Sequence, residues 1–464
     1  MNRKQYDVVI IGSGLSGIVA ANNLADHNLN LLLLDENIHI GGQLLRKLPE
    51  RLGSDTGYQP DKLKRIGFRF VDRIKHNKIR ILNRTKVLAV YPESVLLTEE
   101  DGKRVSTIET DIVLFATGAR EKFLPFKGWT LPGVISTGAA QILMKTSGIL
   151  PSKEILIGGS GVFLFAIAYE ILKNNGRVLS VLEQNSMIDK LSLLSQFLHQ
   201  FSKFSEGGRF VSKIFLSGVP VRHRTRIIEA RGEKHLEKVV TVRMDRKGSV
   251  VEGSETIYNT NSLAIGYGFT PNIELPQLAG CELEYEGDKG GWIVKVKDDL
   301  ETTVENMYAA GEITGIAGAL KSINEGRISA LSILNKLGKM SEDEFSRQLR
   351  PLKKERGHHL AFGKYFNSLC KTPEEAITSI PEETVICRCE DVRMGDIKKA
   401  ILNGHTTTGA IKKATRIGMG ACQGRICGPV LYDIVSAFTK ISPNDIPLLS
   451  VRPPVKPVSI GSFI

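Results

Sequence analysis

A chain of 464 residues exceeds what one hydrophobic core usually serves and predicts two or three domains. Hydrophobic residues at 42% and charged residues at 24% exclude a disordered chain, and 45 glycines predict an α/β protein with many tight turns. A formal charge of +12 arises from scattered basic residues, clustered only briefly at Arg222-His223-Arg224 and Lys353-Lys354 and not interleaved with stacking aromatics, which excludes a nucleic-acid-binding surface and predicts a solvated basic one.

The N-terminus, Arg3-Lys4 followed by Val8 to Ala21, has the outline of a signal peptide, but Gly12, Ser13, Gly14, Ser16 and Gly17 break its apolar stretch. No stretch reaches the roughly 18 to 20 apolar residues of a membrane helix, and the nearest, Gly161 to Leu172, contains Glu170. The six cysteines are too few for a secreted disulfide scaffold, and four of them crowd into 387–427, which predicts a metal centre in a reducing compartment. A cytoplasmic location is therefore expected, with no membrane span, although peripheral association with a membrane would need none.

The apolar run Asp7-Val-Val-Ile-Ile11 predicts a strand covered on both faces; a Gly-rich turn, a helix to about Asp26 and a second apolar run, Leu31 to Leu34, follow. The grammar returns at Glu154-Ile-Leu-Ile157, with Gly158-Gly-Ser-Gly161, a helix to about Asn174 and a strand ending at Glu183. Two such units predict two nucleotide-binding domains. Between them Ile112 to Gly118 is another buried strand entering a Gly turn, and Leu263 to Gly268 resembles it, marking an expected return to the first domain. The expected division is a discontinuous FAD-binding domain over 1–135 and 259–338, a nucleotide-binding domain over 136–258, a charged helical connector over 339–384, a Cys-bearing module over 385–438 and a Pro-rich tail over 439–464.

Gly12-x-Gly14-x-x-Gly17 follows a strand and opens a helix, and Asp35 closes the next strand. Gly12 permits the tight turn, Gly14 lets backbone approach a pyrophosphate, and Gly17 allows helix to pack on strand, while Asp35 can accept from a ribose. Downstream stand Gly41-Gly42-Gln43, Thr117-Gly118-Ala119-Arg120 and Tyr308-Ala-Ala-Gly311-Glu312. With these, the chain resembles the two-dinucleotide-domain flavoproteins that include glutathione and thioredoxin reductases. The resemblance implies FAD, held by Gly12, Gly14, Gly17, Asp35, Glu36, Gly42, Gln43, Val87, Thr117, Gly118, Gly311 and Glu312, with Glu312 standing where Asp is commoner. It also implies a glutathione-reductase-like FAD domain with an inserted NAD-like Rossmann domain.

In the second unit, Gly159, Gly161 and Glu183 predict a site for NAD or another adenine nucleotide, but the third Gly position is Leu164. The alternative is a retained domain that binds nothing. No cysteine pair follows Gly42 or lies in the second unit, so a dithiol relay is excluded.

Cys387-x-Cys389 and Cys422-x-x-x-x-Cys427 supply four thiolates, which suit a [2Fe–2S] cluster or zinc; the tight first spacing favours the cluster. Nearby Lys and Arg would offset its negative charge, and Gly418, Gly420, Gly424 and Gly428 would let backbone crowd the sulfurs. Cys281 and Cys370, at no ligand spacing, are read as packing residues. The module resembles the small α-rich [2Fe–2S] domain of bacterioferritin-associated ferredoxin. Gly418 to Cys427, Ala116-Thr-Gly-Ala-Arg120, Gly128-Trp-Thr-Leu-Pro-Gly133, Gly266-Tyr-Gly-Phe-Thr-Pro271 and the Arg-Pro-Pro tail then resemble a narrower family: the flavoprotein subunits of hydrogen cyanide synthase, opine oxidase, D-hydroxyproline dehydrogenase and dye-linked proline dehydrogenase.

That resemblance implies an electron-transfer subunit of a heteromeric dehydrogenase. A partner flavoprotein subunit would oxidise a small amino or imino acid at its C–N bond, and a small ferredoxin-like subunit would be a further partner. No side chain of this chain is nominated as catalytic. Two readings compete: a stand-alone NADH-dependent flavin and iron–sulfur reductase, and a non-enzymatic module sensing iron or redox state.

Overall fold

The computed structural model describes residues 5–46, 62–76, 79–186, 214, 216–246 and 248–463. Arg3-Lys4 and residues 187–213 of the second nucleotide-binding unit lie outside the described residues. Contacts divide the chain into one unit of residues 1–120, 270–364 and 451–464 and another of residues 121–269 and 365–450.

The first unit is built on a seven-stranded sheet. Its strands are β1 (Gln5–Ile11), β2 (Leu31–Leu34), β3 (Arg80–Leu82), β4 (Thr85–Tyr91), β5 (Val95–Glu100) and β6 (Arg104–Phe115), in the order β3-β2-β1-β6-β5-β4, with Met307–Ala309 joined to β6. β3, β2, β1, β6 and Met307–Ala309 run parallel, whereas β4 and β5 form an antiparallel extension. Val8, Val9 and Ile10 are all solvent-free, as are Leu32 and Leu33, so successive residues pointing to opposite faces are both covered. An unbroken apolar run, where an exposed sheet would alternate, records this two-sided burial.

The helix Leu15–Leu24 covers one face with Leu15, Ile18, Val19, Ala21 and Leu24. Burying a side chain such as Ile18 or Leu24 contributes about 1.5–3 kcal/mol. Its neighbour, the helix Ala319–Lys336, approaches so closely that a Cβ on Gly326 would lie 2.5 Å from the Ser16 carbonyl oxygen. The Pro-rich tail returns to this unit: Val455 N–H donates to Leu88 O at 2.9 Å, and Ser462 Oγ donates to Glu99 Oε1 at 3.1 Å.

The second unit holds a five-stranded parallel sheet in the order Val221–His223, Arg177–Glu183, Glu154–Gly159, Leu263–Gly266, Val134–Ser136. The helix Phe163–Lys173 packs on it through Leu164, Phe165, Ile167, Ala168 and Ile171. A three-stranded antiparallel sheet (Thr225–Arg231, Lys238–Arg243, Thr256–Asn259) lies in the same unit. One expectation is corrected here. Leu263–Gly266 pairs with Glu154–Gly159 in the second sheet, and the chain re-enters the first unit only at Thr270. A short apolar strand running into a Gly turn suits the centre of either parallel sheet, so its sequence carries no address.

The Cys-bearing module closes the second unit. A two-stranded ribbon (Val385–Cys387, Val392–Arg393) is followed by helices Met394–Leu402, Thr408–Thr415 and Cys427–Thr439. Asp396 caps the start of the first of these, its carboxylate accepting from Arg393 N–H at 2.8 Å. Thr407 caps the second, its Oγ1 accepting from Ala410 N–H. The α/β architecture with two sheets of parallel strands and a small helical Cys module is therefore as expected. Among the described residues no helix is long and apolar enough to cross a membrane.

Candidate functional site

The first Gly-rich turn gathers most of the residues expected there. A Cβ on Gly12 would meet Ala116 O at 2.3 Å and one on Gly17 would meet Gly12 O at 2.0 Å, so both positions require glycine. Around Gly14, by contrast, nothing lies within 4 Å of where a Cβ would be. That opening lies at the start of the helix Leu15–Leu24, where the first N–H groups of a helix have no partner within it. Gly42 closes over the turn from the other side, 2.9 Å from Gly14 Cα by its own virtual Cβ, and Gly41 N–H donates to Ser13 O at 2.9 Å.

Asp35 directly follows β2 but is engaged with the turn itself. Its Oδ2 accepts from Ser13 N–H at 2.7 Å and from Ser13 Oγ at 2.5 Å, and its Oδ1 accepts from Asn37 N–H and Nδ2, both at 2.8 Å. Glu36 is exposed and paired with Lys456 of the tail. Gln43 is exposed and accepts from Arg46 Nε. Val87 is buried in β4, whose first residue, Thr85, donates its N–H to Asp35 O at 2.9 Å.

Thr117 and Gly118 follow β6. Thr117 Oγ1 donates to Asn272 O at 2.7 Å, and Gly118 holds a left-handed φ of 72° with open space at its Cβ position. Gly311 lies against Ser16, to which its virtual Cβ would come within 2.5 Å of Oγ, so the Gly311-Glu312 turn reaches the N-terminus of the helix Leu15–Leu24. Glu312 turns its carboxylate onto the start of the helix Ala319–Lys336, accepting from Ala317 N–H and Gly318 N–H, both at 2.8 Å. Burial pushes its carboxyl above the ordinary range against the pull of Lys321.

Sequence reasoning missed the group that fixes this turn. Lys321 and Glu325 are fully buried and 2.8 Å apart; Lys321 Nζ donates to Gly311 O at 2.6 Å, and Glu325 Oε2 accepts from Gly311 N–H at 2.8 Å. Arg356 Nε adds a 2.7 Å bond to Glu325 Oε1. Burial works to raise the Glu325 carboxyl, but the Lys321 and Arg356 charges hold it below the usual range. The signal was present as a Lys and a Glu one helical turn apart, shortly after the Gly-Glu turn.

In the second unit Gly159 holds a φ of 135° with its Cβ position filled by Gly266 O at 1.9 Å, and Gly161 holds a φ of 95°. Glu183 ends its strand with no solvent exposure and contacts His223 Nδ1 at 3.2 Å.

In the Cys module all four thiols are free and stand as two pairs, Cys387 with Cys427 and Cys389 with Cys422. Cys387 is buried beside Cys427, whose thiol donates to it. Although burial opposes the shift, backbone N–H groups of Gly418, Glu390 and Cys389 add to that bond, and the Cys387 thiol is pulled down to about 5. Cys427 is pushed up, first by the hydrogen bond it gives and then by burial. Cys389 pairs with Cys422; the Cys422 backbone N–H works to lower the Cys389 thiol, but burial and the neighbouring thiols raise it. Among the described residues no three ligating side chains gather around one point, but two thiol pairs with backbone donors near sulfur suit a [2Fe–2S] centre, in which each of two irons is held by two thiolates. Gly420 is needed there, since its Cβ would fall 2.3 Å from Cys389 Cβ.

Trp129, also missed as a site residue, fixes the entry to the module. It is 3% exposed, its Nε1 donates to Val385 O at 2.6 Å, and Arg388 sits 5.5 Å over its ring. Lys122 and Asp433 add a 2.6 Å ion pair. Cys281 is a packing residue, buried with its thiol on Thr302 Oγ1.

Two family models match the chain. Residues 6–327 match the family described as pyridine nucleotide-disulphide oxidoreductase, and residues 385–437 match the BFD-like [2Fe–2S] binding domain. One of the subunits of opine oxidase from Rhizobium meliloti is 30% identical over 99% of this chain and 88% of its own length. The HcnB subunit of hydrogen cyanide synthase from Pseudomonas aeruginosa is 29% identical over 98% of this chain and 97% of its own. Among solved structures, L-proline dehydrogenase from P. horikoshii superposes with a TM-score of 0.73 over 99% of this chain and 79% of that one, at 21% identity, a likeness of fold. The span of the family match and the full-length likeness to the opine oxidase subunit place the chain in the pyridine nucleotide-disulphide oxidoreductase family, as an oxidoreductase subunit that carries FAD and a [2Fe–2S] cluster.

Proposed function

We propose that this chain is the electron-relaying subunit of a heteromeric dehydrogenase whose partner flavoprotein subunit oxidises a small amino or imino acid at its C–N bond. The observation that carries the reading is the presence of an open dinucleotide cradle at Gly14 and a four-thiol module in a chain with no cysteine pair beside either Gly-rich turn. When bound, FAD supplies two-electron exchange with one-electron release, and the cluster supplies one-electron carriage.

The chain's own residues hold and insulate these groups. Gly12, Gly14, Gly17 and Gly42 shape the phosphate cradle, and Asp35, through Ser13, keeps its turn rigid. Thr117, Gly118, Gly311 and Glu312 bound the same space, with Lys321, Glu325 and Arg356 locking the Gly311 turn. Cys387, Cys389, Cys422 and Cys427 are the proposed iron ligands. No acid or base is assigned, since bond-breaking at the substrate is given to the partner. Relatives named as subunits of opine oxidase and hydrogen cyanide synthase support the partner and the donor class.

The test is anaerobic. The purified chain, alone and then in the complex recovered with it from its native host, is offered glycine, proline, hydroxyproline and an opine with an artificial acceptor. Turnover by the complex and none by the chain alone is expected. Turnover by the isolated chain, or a complex inert to all four while NADH bleaches the flavin, would overturn the reading in favour of a self-contained reductase.

A further inference from the structure

The two Gly-rich turns differ in what fills them. At Gly14 the place of a Cβ is open, but at Gly161, the corresponding glycine of the second turn, the Sγ of Cys370 lies 2.3 Å from that place. In a dinucleotide fold the second glycine is where backbone meets the pyrophosphate. Here a thiol rests against it, with Cys370 Sγ also 3.7 Å from Ser160 O and Cys370 Cβ 2.8 Å from where a Cβ on Gly268 would be.

The thiol does not stand alone. Cys370 directly follows the helix Glu342–Leu369, and the chain around it is tied down by Asn185, whose Nδ2 donates to Leu369 O at 2.6 Å and to Lys371 O at 3.1 Å. Asn185 lies two residues beyond Glu183, the acid at the strand end where a ribose would be received. That carboxylate has no solvent exposure and contacts His223. The third glycine position is Leu164, fully buried under the turn. Pyrophosphate, ribose and helix-packing positions are thus all altered, and the first two are covered. The polar remains of a cradle persist: among the described residues, Ser160 Oγ and both polar atoms of the Gln184 side-chain amide are buried without a hydrogen-bond partner. Such groups are costly unless something once met them or can still meet them.

We infer that the segment Leu369–Lys371 is an intramolecular plug seated in the second dinucleotide site, so that this domain takes no pyridine nucleotide although the family to which the chain belongs is named for one. The inference concerns only the second domain and holds whatever the partner subunit oxidises. Its consequence is that NADH and NADPH are not electron donors through this domain.

The experiment uses the full chain loaded with FAD and cluster. Equilibrium dialysis with NADH, NADPH and ADP-ribose to millimolar concentration is expected to show no saturable binding, and anaerobic NADH is expected to leave the flavin absorbance unchanged. In the double variant Asn185→Ala/Cys370→Ala, which frees the segment and removes the sulfur from Gly161, ADP-ribose is expected to bind at least tenfold more tightly than to the wild type, with FAD and iron content unchanged. Micromolar binding of NADH by the wild type would overturn the plug. So would a correctly loaded double variant as inert as the wild type, which would assign the loss to Leu164 and Glu183. If the variant does not fold, amide hydrogen exchange of the wild type decides: no change in the peptide spanning 158–170 on adding NADH is expected, and slowed exchange there refutes the inference.

Discussion

Gly14→Ala separates cofactor binding from folding. Gly14 has φ −66° and ψ −180°, extended backbone that any residue adopts, and an added methyl group would meet no atom of the chain within 4 Å. The apo fold should therefore be unharmed, and the lower chain entropy of the unfolded state should stabilise it by about 0.4–1 kcal/mol. Under the proposed placement of FAD, the methyl group stands instead in the space of its pyrophosphate. Forcing a carbon into a filled contact costs about 1–3 kcal/mol, which is about 5- to 150-fold in affinity. The assay strips the flavin, titrates FAD by fluorescence quenching and melts the apo chain in parallel. Weaker FAD binding with an equal or higher apo melting temperature is the expected result. Unchanged affinity, or an apo chain that melts several degrees lower, would refute the placement of the phosphates at Gly14. Gly12→Ala is the contrast: its φ of 106° and its Cβ position 2.3 Å from Ala116 O should destabilise the apo chain itself.

Glu325→Gln leaves the solvent-free Lys321 without its carboxylate and should destabilise by about 3–5 kcal/mol in chemical denaturation. The Glu325 carboxyl titrates below its ordinary value of about 4.3, so its contribution is complete above that pH and is lost as pH falls through the folded value. The variant should lose that part of the acid dependence, and an unchanged acid profile would count against the pairing. Cys389→Ser should abolish cluster absorbance and the reduced-state paramagnetic signal while FAD content stays constant; stoichiometric zinc without iron in the wild type would instead convict the cluster assignment. Trp129→Phe takes the donor from Val385 O in a buried setting and should lower stability by about 1–3 kcal/mol, followed through loss of cluster absorbance on heating.

Much of the site was legible because its parts are local. Gly12, Gly14 and Gly17 lie within two turns of one another, and the thiols declare themselves by softness and spacing. What lay hidden depends on residues distant in the chain. The buried Lys321 and Glu325 look like an ordinary surface pair at helical spacing until Arg356 and the Gly311 backbone enclose them. Trp129 reads as loop until its indole meets Val385.

The amino-acid sequence by itself determined the strands covered on both faces and the two Gly turns, because each follows from steric needs met within a few residues, and the four-thiol set, because soft ligands at paired spacing carry their own chemistry. Only the tertiary structure decided that Leu263–Gly266 joins the second sheet, and that Cys370 fills one Gly turn while the other stays open. A glycine's lack of a side chain permits close approach equally to a phosphate or to a thiol. Which of the two arrives is set by where the rest of the chain packs.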